Sequence, residues 1–305
     1  MPRYSVTLLS IALLFSMILS GCDATPPPIP PMNTATPNAV TPLIPITVSP
    51  TMPPIQDTPP SATSTPTSST CKEKTGTIEK GIIYTRLIDK PMSYNVYLPP
   101  CYSFDASLRY PVLYLLHGQG STEDQWIRIG AVSAADKIIS LASAPPFIMV
   151  FPFDFSYKQP NEYKFEEVFV QLLIPQIDND YRTKTDSTYR AIGGLSRGGA
   201  WALRIGTLHP ELFGAIGGHS PAIFYVDEKP LTRRLLDIPA EYMPRIWLDA
   251  GDKDSEFSVI EPFEKFLSEK GIPHEWHEYI GWHEEKYWSA HVEEYLKWYA
   301  LAWTR

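Results

Sequence analysis

Gly194-Leu195-Ser196-Arg197-Gly198 sets a serine between two glycines. A short strand-like segment, Tyr189 to Ile192, precedes it, and a segment of small and apolar residues, Ala200 to about Leu208, follows. A serine on a tight strand-to-helix turn is pushed clear of the backbone, in a strained conformation that small flanking residues make room for. Its Oγ then lies near a helix N-terminus, whose amides stabilise developing negative charge. This is the setting of a nucleophile for acyl transfer. A hydroxyl is inert at neutral pH, so it needs a base, and the base needs an acid to orient it. After a strand-turn-helix serine, the acid follows first in the chain and the histidine second.

The run Arg245 to Asp249 reads as a strand entering the loop Ala250-Gly251-Asp252-Lys253-Asp254. Asp254 lies furthest into that loop, where it can reach a neighbouring one, and is the candidate acid. Asp249, at the end of the strand, is the alternative, and Asp252 beside a glycine reads as a turn residue. His283, in Tyr279-Ile280-Gly281-Trp282-His283-Glu284, falls between the last strand and the last helix and is the candidate base. His274 and His277 lie in a strand-like segment and His291 on the final helix. His117 and His219 do not satisfy the order of acid and base. Two amides must receive the oxyanion. One is the N–H of Arg197, next after the serine. The other comes from Leu115-Leu116-His117-Gly118-Gln119-Gly120, where Gln119 is the candidate and Gly118 the alternative. Trp126, Trp282 and Trp288 crowd the mouth of this site and are candidates for stacking on an aromatic acyl group or a sugar.

Elements that would position these residues follow from periodicity. Met92 to Leu98 alternates, as a half-exposed antiparallel strand does. Val112 to Leu116 and Phe147 to Phe151 are continuous apolar runs, expected of strands buried on both faces. Glu162 to about Asp178 has helical periodicity through Phe165, Val168, Phe169, Leu172 and Leu173. Phe213 to Gly217 and His274 to Ile280 add strands. Val259 to Lys270 is a helix closed by Gly271, and Trp288 to Trp303 is the last helix. Repeated strand–helix units imply a mostly parallel central sheet with helices on both faces.

Together these stretches resemble the putative-esterase family of the α/β-hydrolase fold, which includes esterase D (S-formylglutathione hydrolase), feruloyl esterases, enterochelin esterases and mycolyltransferases. The resemblance rests on Asn95-Val-Tyr-Leu-Pro-Pro, Tyr110-Pro-Val-Leu-Tyr-Leu-Leu-His-Gly, Gly194-Leu-Ser-Arg-Gly-Gly, Leu248-Asp-Ala-Gly-Asp-Lys-Asp and Gly281-Trp-His with Tyr287-Trp288. It spans about residue 77 to the end, and it implies the acid at Asp254 and the base at His283. Trp282 is a departure, because many relatives carry glycine before that histidine. The implied reaction is ester hydrolysis through an acyl-enzyme, with no metal or organic cofactor. An acyltransferase with the same triad, or a non-catalytic surface-binding module on the same fold, are the alternatives.

The first residues read as an address. Met1-Pro2-Arg3 is a basic start, Val6 to Leu19 an apolar core, and Leu19-Ser20-Gly21-Cys22 a small-residue cleavage site. This resembles a bacterial lipoprotein signal, residues 1–21, with a lipid on Cys22 and hence a membrane anchor in the cell envelope. Of 31 prolines, nearly half lie between Pro26 and Pro66, in a stretch of Pro, Thr, Ser and Ala. So poor in large apolar groups, residues 22–70 read as the lipidated cysteine and a disordered linker, and 71–305 as the catalytic domain. Cys71 and Cys101 are an even pair in an exported chain and are expected to form a disulfide, with two free thiols the alternative; neither has the spacing of a metal site. A net charge of −8 with no basic patch argues against nucleic acid as a partner. The expected partner is a small-molecule or polysaccharide-linked ester, with feruloyl and acetyl esters suiting an exported enzyme.

Overall fold

The computed structural model describes residues 71–304. The segments read as a signal peptide (1–21), a lipidated Cys22 and a linker (23–70) lie outside the described residues. Eight strands form one sheet: β1 (Thr77–Ile83), β2 (Met92–Leu98), β3 (Val112–Leu116), β4 (Ile148–Pro152), β5 (Arg190–Leu195), β6 (Ala215–His219), β7 (Arg245–Gly251) and β8 (Glu275–Tyr279). Their order is β1-β2-β4-β3-β5-β6-β7-β8. β2 runs antiparallel to both β1 and β4, and every later pairing is parallel. The expected mostly parallel sheet is present.

Among the described residues, eight α-helices wrap it: α1 (Gln125–Arg128), α2 (Ala131–Ser140), α3 (Phe165–Val168), α4 (Ile174–Asp180), α5 (Arg197–Leu208), α6 (Glu228–Asp237), α7 (Phe257–Lys270) and α8 (Glu285–Leu301). On one face, Leu113, Leu115, Phe147 and Met149 pack with α2 and with Tyr295, Leu296 and Tyr299 of α8. On the other, Val112, Tyr114, Ile148 and Val150 pack with Phe165, Phe169, Trp201, Leu231 and Phe263. Burying both faces of β3 and β4 explains their unbroken apolar runs.

Two expectations are corrected. β2 is not half-exposed; all its residues but Ser93 are buried. Its polar residues go inside because each finds a partner there: Asn95 Nδ2 donates to Glu123 O (3.2 Å) and Tyr97 O–H to Asp136 Oδ1 (2.7 Å). The helix expected over 162–178 is broken by a π-turn at Phe169–Leu173, between α3 and α4. Pro175 has no N–H to offer the Gln171 carbonyl, and the wider turn ahead of it absorbs the mismatch. α7 ends as expected, on Gly271 in the left-handed region at φ 66°.

Cys71 and Cys101 are bonded, with Cα atoms 5.9 Å apart, and tie the entry to β1 to the turn after β2. Closing a loop with a sequence separation of 30 contributes about 3–4 kcal/mol by constraining the unfolded chain. No helix among the described residues is long and apolar enough to cross a membrane.

The register puts Leu195, His219, Asp249 and His277 side by side on β5, β6, β7 and β8. The loops that leave these parallel strands therefore emerge along one edge of the sheet, where ligands of open α/β sheets bind.

Candidate active site

Ser196 sits between β5 and α5 with φ 53° and ψ −121°, a backbone conformation that costs a residue bearing a Cβ about 1–3 kcal/mol. Three hydrogen bonds hold it there. Its N–H donates to His219 O (2.9 Å), and its carbonyl accepts from Ala200 N–H (3.1 Å) and Ala222 N–H (3.0 Å). The flanking glycines answer a steric demand. A Cβ on Gly194 would stand 2.2 Å from the Gly198 carbonyl carbon, and one on Gly198 2.1 Å from Leu116 O. The elbow can press against β3 only because both side chains are missing.

His283 lies in the β8–α8 loop, its Nε2 2.8 Å from Ser196 Oγ and its Nδ1 2.8 Å from Asp254 Oδ1. The ring packs in a T-shaped contact with Trp288, centroids 5.1 Å apart. The two loops are laced together by three bonds. Asp252 N–H donates to Tyr279 O (2.8 Å), Lys253 N–H to Gly281 O (3.0 Å) and Gly281 N–H to Asp252 Oδ1 (2.9 Å). Asp252, read from sequence as a turn residue, thus sets the separation of acid and base loops.

Asp254 is buried. Burial pushes its carboxyl up, but the His283 ring, the Ser220 hydroxyl and the Glu256 amide outweigh it and hold it below its ordinary value. The Glu256 N–H bond to Oδ1 is 2.8 Å; Ser220 Oγ lies near enough to act on the charge without meeting hydrogen-bond geometry. Asp249, the alternative acid, is taken up elsewhere. Its Oδ1 accepts from His219 Nδ1 (2.7 Å) and Trp247 Nε1 (2.8 Å), its Oδ2 from the hydroxyls of Tyr287 (2.8 Å) and Tyr295 (2.9 Å).

Arg197 opens α5, where the N–H groups of a first turn have no partner within the helix. In the β3–α1 loop the Gly118 N–H is spent on Gln125 Oε1 at 2.8 Å, which leaves Gln119 as that loop's candidate donor. Of the three tryptophans, the structure removes two from the mouth of the site. Trp126 is 1% exposed and donates from Nε1 to Leu116 O (2.9 Å), so it packs the core. Trp288 is buried as well, behind His283. Trp282 alone is open, 58% exposed, with Lys253 Nζ 5.7 Å from its ring centre. It borders a cleft of about 320 Å³ shared with Lys253, Ile280, Glu284 and Lys286. Sequence reasoning did not single out Ser220 or Lys253, because neither signals anything until the strands are aligned. Cys71, Glu73 and Cys101 cluster at metal-ligand spacing, but both sulfurs are in the disulfide.

Comparison with known proteins adds four likenesses. A family model described as Putative esterase matches residues 85–299. An endo-1,4-beta-xylanase/feruloyl esterase of Xylanibacter ruminicola is 34% identical over 164 residues, covering 50% of this chain and 23% of that protein. The chain therefore spans under a quarter of that relative's length. Among solved structures, a ferulic acid esterase superposes with a TM-score of 0.67 at 23% identity, covering 75% of this chain and 99% of the other. A CE1 ferulic acid esterase of Anaeromyces mucronatus, in complex with ferulic acid, gives 0.63 at 22% identity, covering 73% and 90%. At such identities the structural likeness speaks for the α/β-hydrolase fold.

Proposed function

The chain belongs to the putative-esterase family, and from that premise we propose that it is a serine carboxylic-ester hydrolase working through an acyl-enzyme. The observation that carries this reading is the unbroken chain from Ser196 Oγ to His283 Nε2 and from His283 Nδ1 to Asp254 Oδ1, each link 2.8 Å, on a strained turn at the open edge of the sheet.

Ser196 Oγ attacks the ester carbonyl as His283 Nε2 takes its proton. Asp254, kept ionised, accepts the Nδ1–H bond, so the tautomer with Nε2 free is favoured and the imidazolium is stabilised. The tetrahedral oxyanion lies between the N–H groups of Arg197 and Gln119, each worth about 3 kcal/mol to the transition state. His283 then protonates the leaving alcohol, and water repeats the sequence to release the acid.

For substrate, we favour feruloyl or acetyl esters carried on polysaccharide. The xylanase/feruloyl esterase relative and the ferulate-bound neighbour support this choice. Trp282, the exposed aromatic next to the base, suits stacking on the sugar or the aromatic acid. An exported location fits the same substrates. The signal over residues 1–21, a lipid on Cys22 and the Pro/Thr/Ser-rich segment to residue 70 would tether the catalytic domain at a membrane.

Labelling with a fluorophosphonate tests the chemistry. Stoichiometric reaction of the wild type, abolished in Ser196→Ala and His283→Ala, is expected; a folded wild type that stays unlabelled overturns the reading. Product analysis with and without a sugar acceptor separates hydrolysis from acyl transfer.

A further inference from the structure

The two candidate oxyanion donors stand on segments that do not follow each other in the chain. Arg197 N–H belongs to the start of α5, and Gln119 N–H to the loop after β3. Only their separation and direction make an oxyanion site, since a donor is effective at about 2.7–3.1 Å from the developing charge and loses most of its worth when displaced. Something must hold the two in register.

The loop that leaves β4, on the far side of β3 from β5, bonds to both through Asp154, a buried carboxylate outside the triad. Its side chain binds the α5 side. Oδ2 accepts from Arg197 Nε (2.7 Å) and from Trp201 Nε1 (2.8 Å), with both partners of the ion pair 5% exposed. The same guanidinium donates from its terminal nitrogen to Lys158 O (2.8 Å), farther along the β4 loop. Oδ1 accepts Ser156 N–H (3.0 Å), which stiffens the loop itself.

The backbone of Asp154 binds the other side. Its N–H donates to His117 Nε2 (2.9 Å), and His117 Nδ1 then donates to Gly118 O (2.7 Å). Those two bonds require a neutral ring with its proton on Nδ1, and burial, the largest influence, pushes the His117 pKa down. The consequence falls on the next amide. In a planar trans peptide the C=O and the following N–H point in opposite directions. A Gly118 carbonyl held toward His117 therefore turns the Gln119 N–H away from that ring.

We propose, resting on the hydrolase reading above, that Asp154 is a positioning residue that couples the two halves of the oxyanion hole. Its carboxylate anchors Arg197, and its amide, through His117, orients the Gln119 N–H. Asp154 touches no substrate. It acts on the transition state alone, because the oxyanion forms only there, so its loss lowers kcat and spares KM.

The test uses the full-length protein, p-nitrophenyl acetate and a trifluoromethyl ketone that forms a hemiketal oxyanion on serine. In Asp154→Asn, kcat is expected to fall about 30- to 100-fold with KM within about threefold. Inhibition by the ketone should weaken by the same factor as kcat/KM, while fluorophosphonate still titrates one serine per chain. Arg197→Lys keeps the backbone amide and a positive charge but loses the guanidinium fork; it is expected to cost about tenfold in kcat. Because both act through one link, the double variant should be no worse than Asp154→Asn alone. If Asp154→Asn does not fold, Arg197→Lys and Trp201→Phe carry the comparison of kcat with ketone affinity. An unlabelled wild type overturns the hydrolase reading and this inference with it. A labelled wild type whose folded variants keep kcat within threefold, or lose kcat with ketone affinity unchanged, overturns this inference alone.

Discussion

Two histidine–aspartate pairs stand on neighbouring strands and loops of one sheet, and only one of them meets a hydroxyl at the sheet's open edge. His283 Nδ1 lies 2.8 Å from Asp254 Oδ1, and His219 Nδ1 lies 2.7 Å from Asp249 Oδ1. The pairs differ in what lies beyond the ring. His283 is 21% exposed and turns Nε2 to Ser196 Oγ at 2.8 Å, at the open edge of the sheet. His219 and Asp249 are both 0% exposed, and His219 Nε2 meets the Tyr299 hydroxyl at 3.0 Å. Burial, reinforced by the Asp249 charge, pushes the hydroxyls of Tyr287, Tyr295 and Tyr299 above their ordinary value, so their protons stay put. A His–Asp contact is therefore not a catalytic signature in itself. Access, and the group offered to Nε2, decide its use.

The buried pair has a different part to play. His219 supplies the carbonyl that accepts the Ser196 N–H, and Asp249 the carbonyl that accepts the Ser220 N–H. Four donors around the Asp249 carboxylate lock α8 to β6 and β7, beneath the loops that carry acid and base. In the proposed mechanism one pair reacts while the other holds the floor.

The largest expected effect breaks the exposed pair. Ser196→Ala and His283→Ala should each lower ester turnover about 10⁴-fold or more, and Asp254→Asn about 10³- to 10⁴-fold. For Ser196→Ala and His283→Ala the denaturant midpoints should barely move, as kinetics beside urea titrations will show. The mirror experiment breaks the buried pair. Asp249→Ala strips the partner from four buried donors and is expected to destabilise the fold by about 3–5 kcal/mol, read from urea unfolding. Next comes the packing around His219. A Cβ on Gly217 would lie 1.7 Å from the Tyr299 hydroxyl oxygen, so Gly217→Ala should cost about 1–3 kcal/mol. Adding Tyr299→Phe should return part of that loss, and a double variant as unstable as Gly217→Ala alone would refute the clash. The smallest effect is a pH dependence. The folded Asp254 carboxyl titrates below its unfolded value, so its stabilisation is complete above the ordinary carboxylate range and lost as pH falls through the depressed value. The stability gap between wild type and Asp254→Asn should therefore narrow on acidification, measured as melting temperature from neutral pH down to about pH 3.

Legibility followed locality. Val112 to Leu116 is a strand with the bounds read from its apolar run, because burial on both faces writes itself into consecutive residues. Gly271 announced the end of α7 because few other residues adopt its φ. The glycines around Ser196 announced a turn for a similar reason. The readings that failed depended on distant partners. Trp126 looked like a mouth residue until α1 laid it against the Leu116 carbonyl. β2 looked half-exposed until Glu123 and Asp136 arrived to satisfy its polar residues. His219 lacked an acid in the expected order, and it took the alignment of β6 with β7 to give it one.

By itself, then, the sequence determined the strand–helix alternation, the strained serine turn and the chain order of an acid and a base, all matters of local sterics and periodicity. Which aspartate meets which histidine was decided only by the tertiary structure. Strand register and loop lacing put Asp249 under the sheet edge and Asp254 at it, and separations of 30 residues or so along the chain carry no record of that difference. Hydrogen bonds act over about 3 Å of space, whatever the distance in sequence.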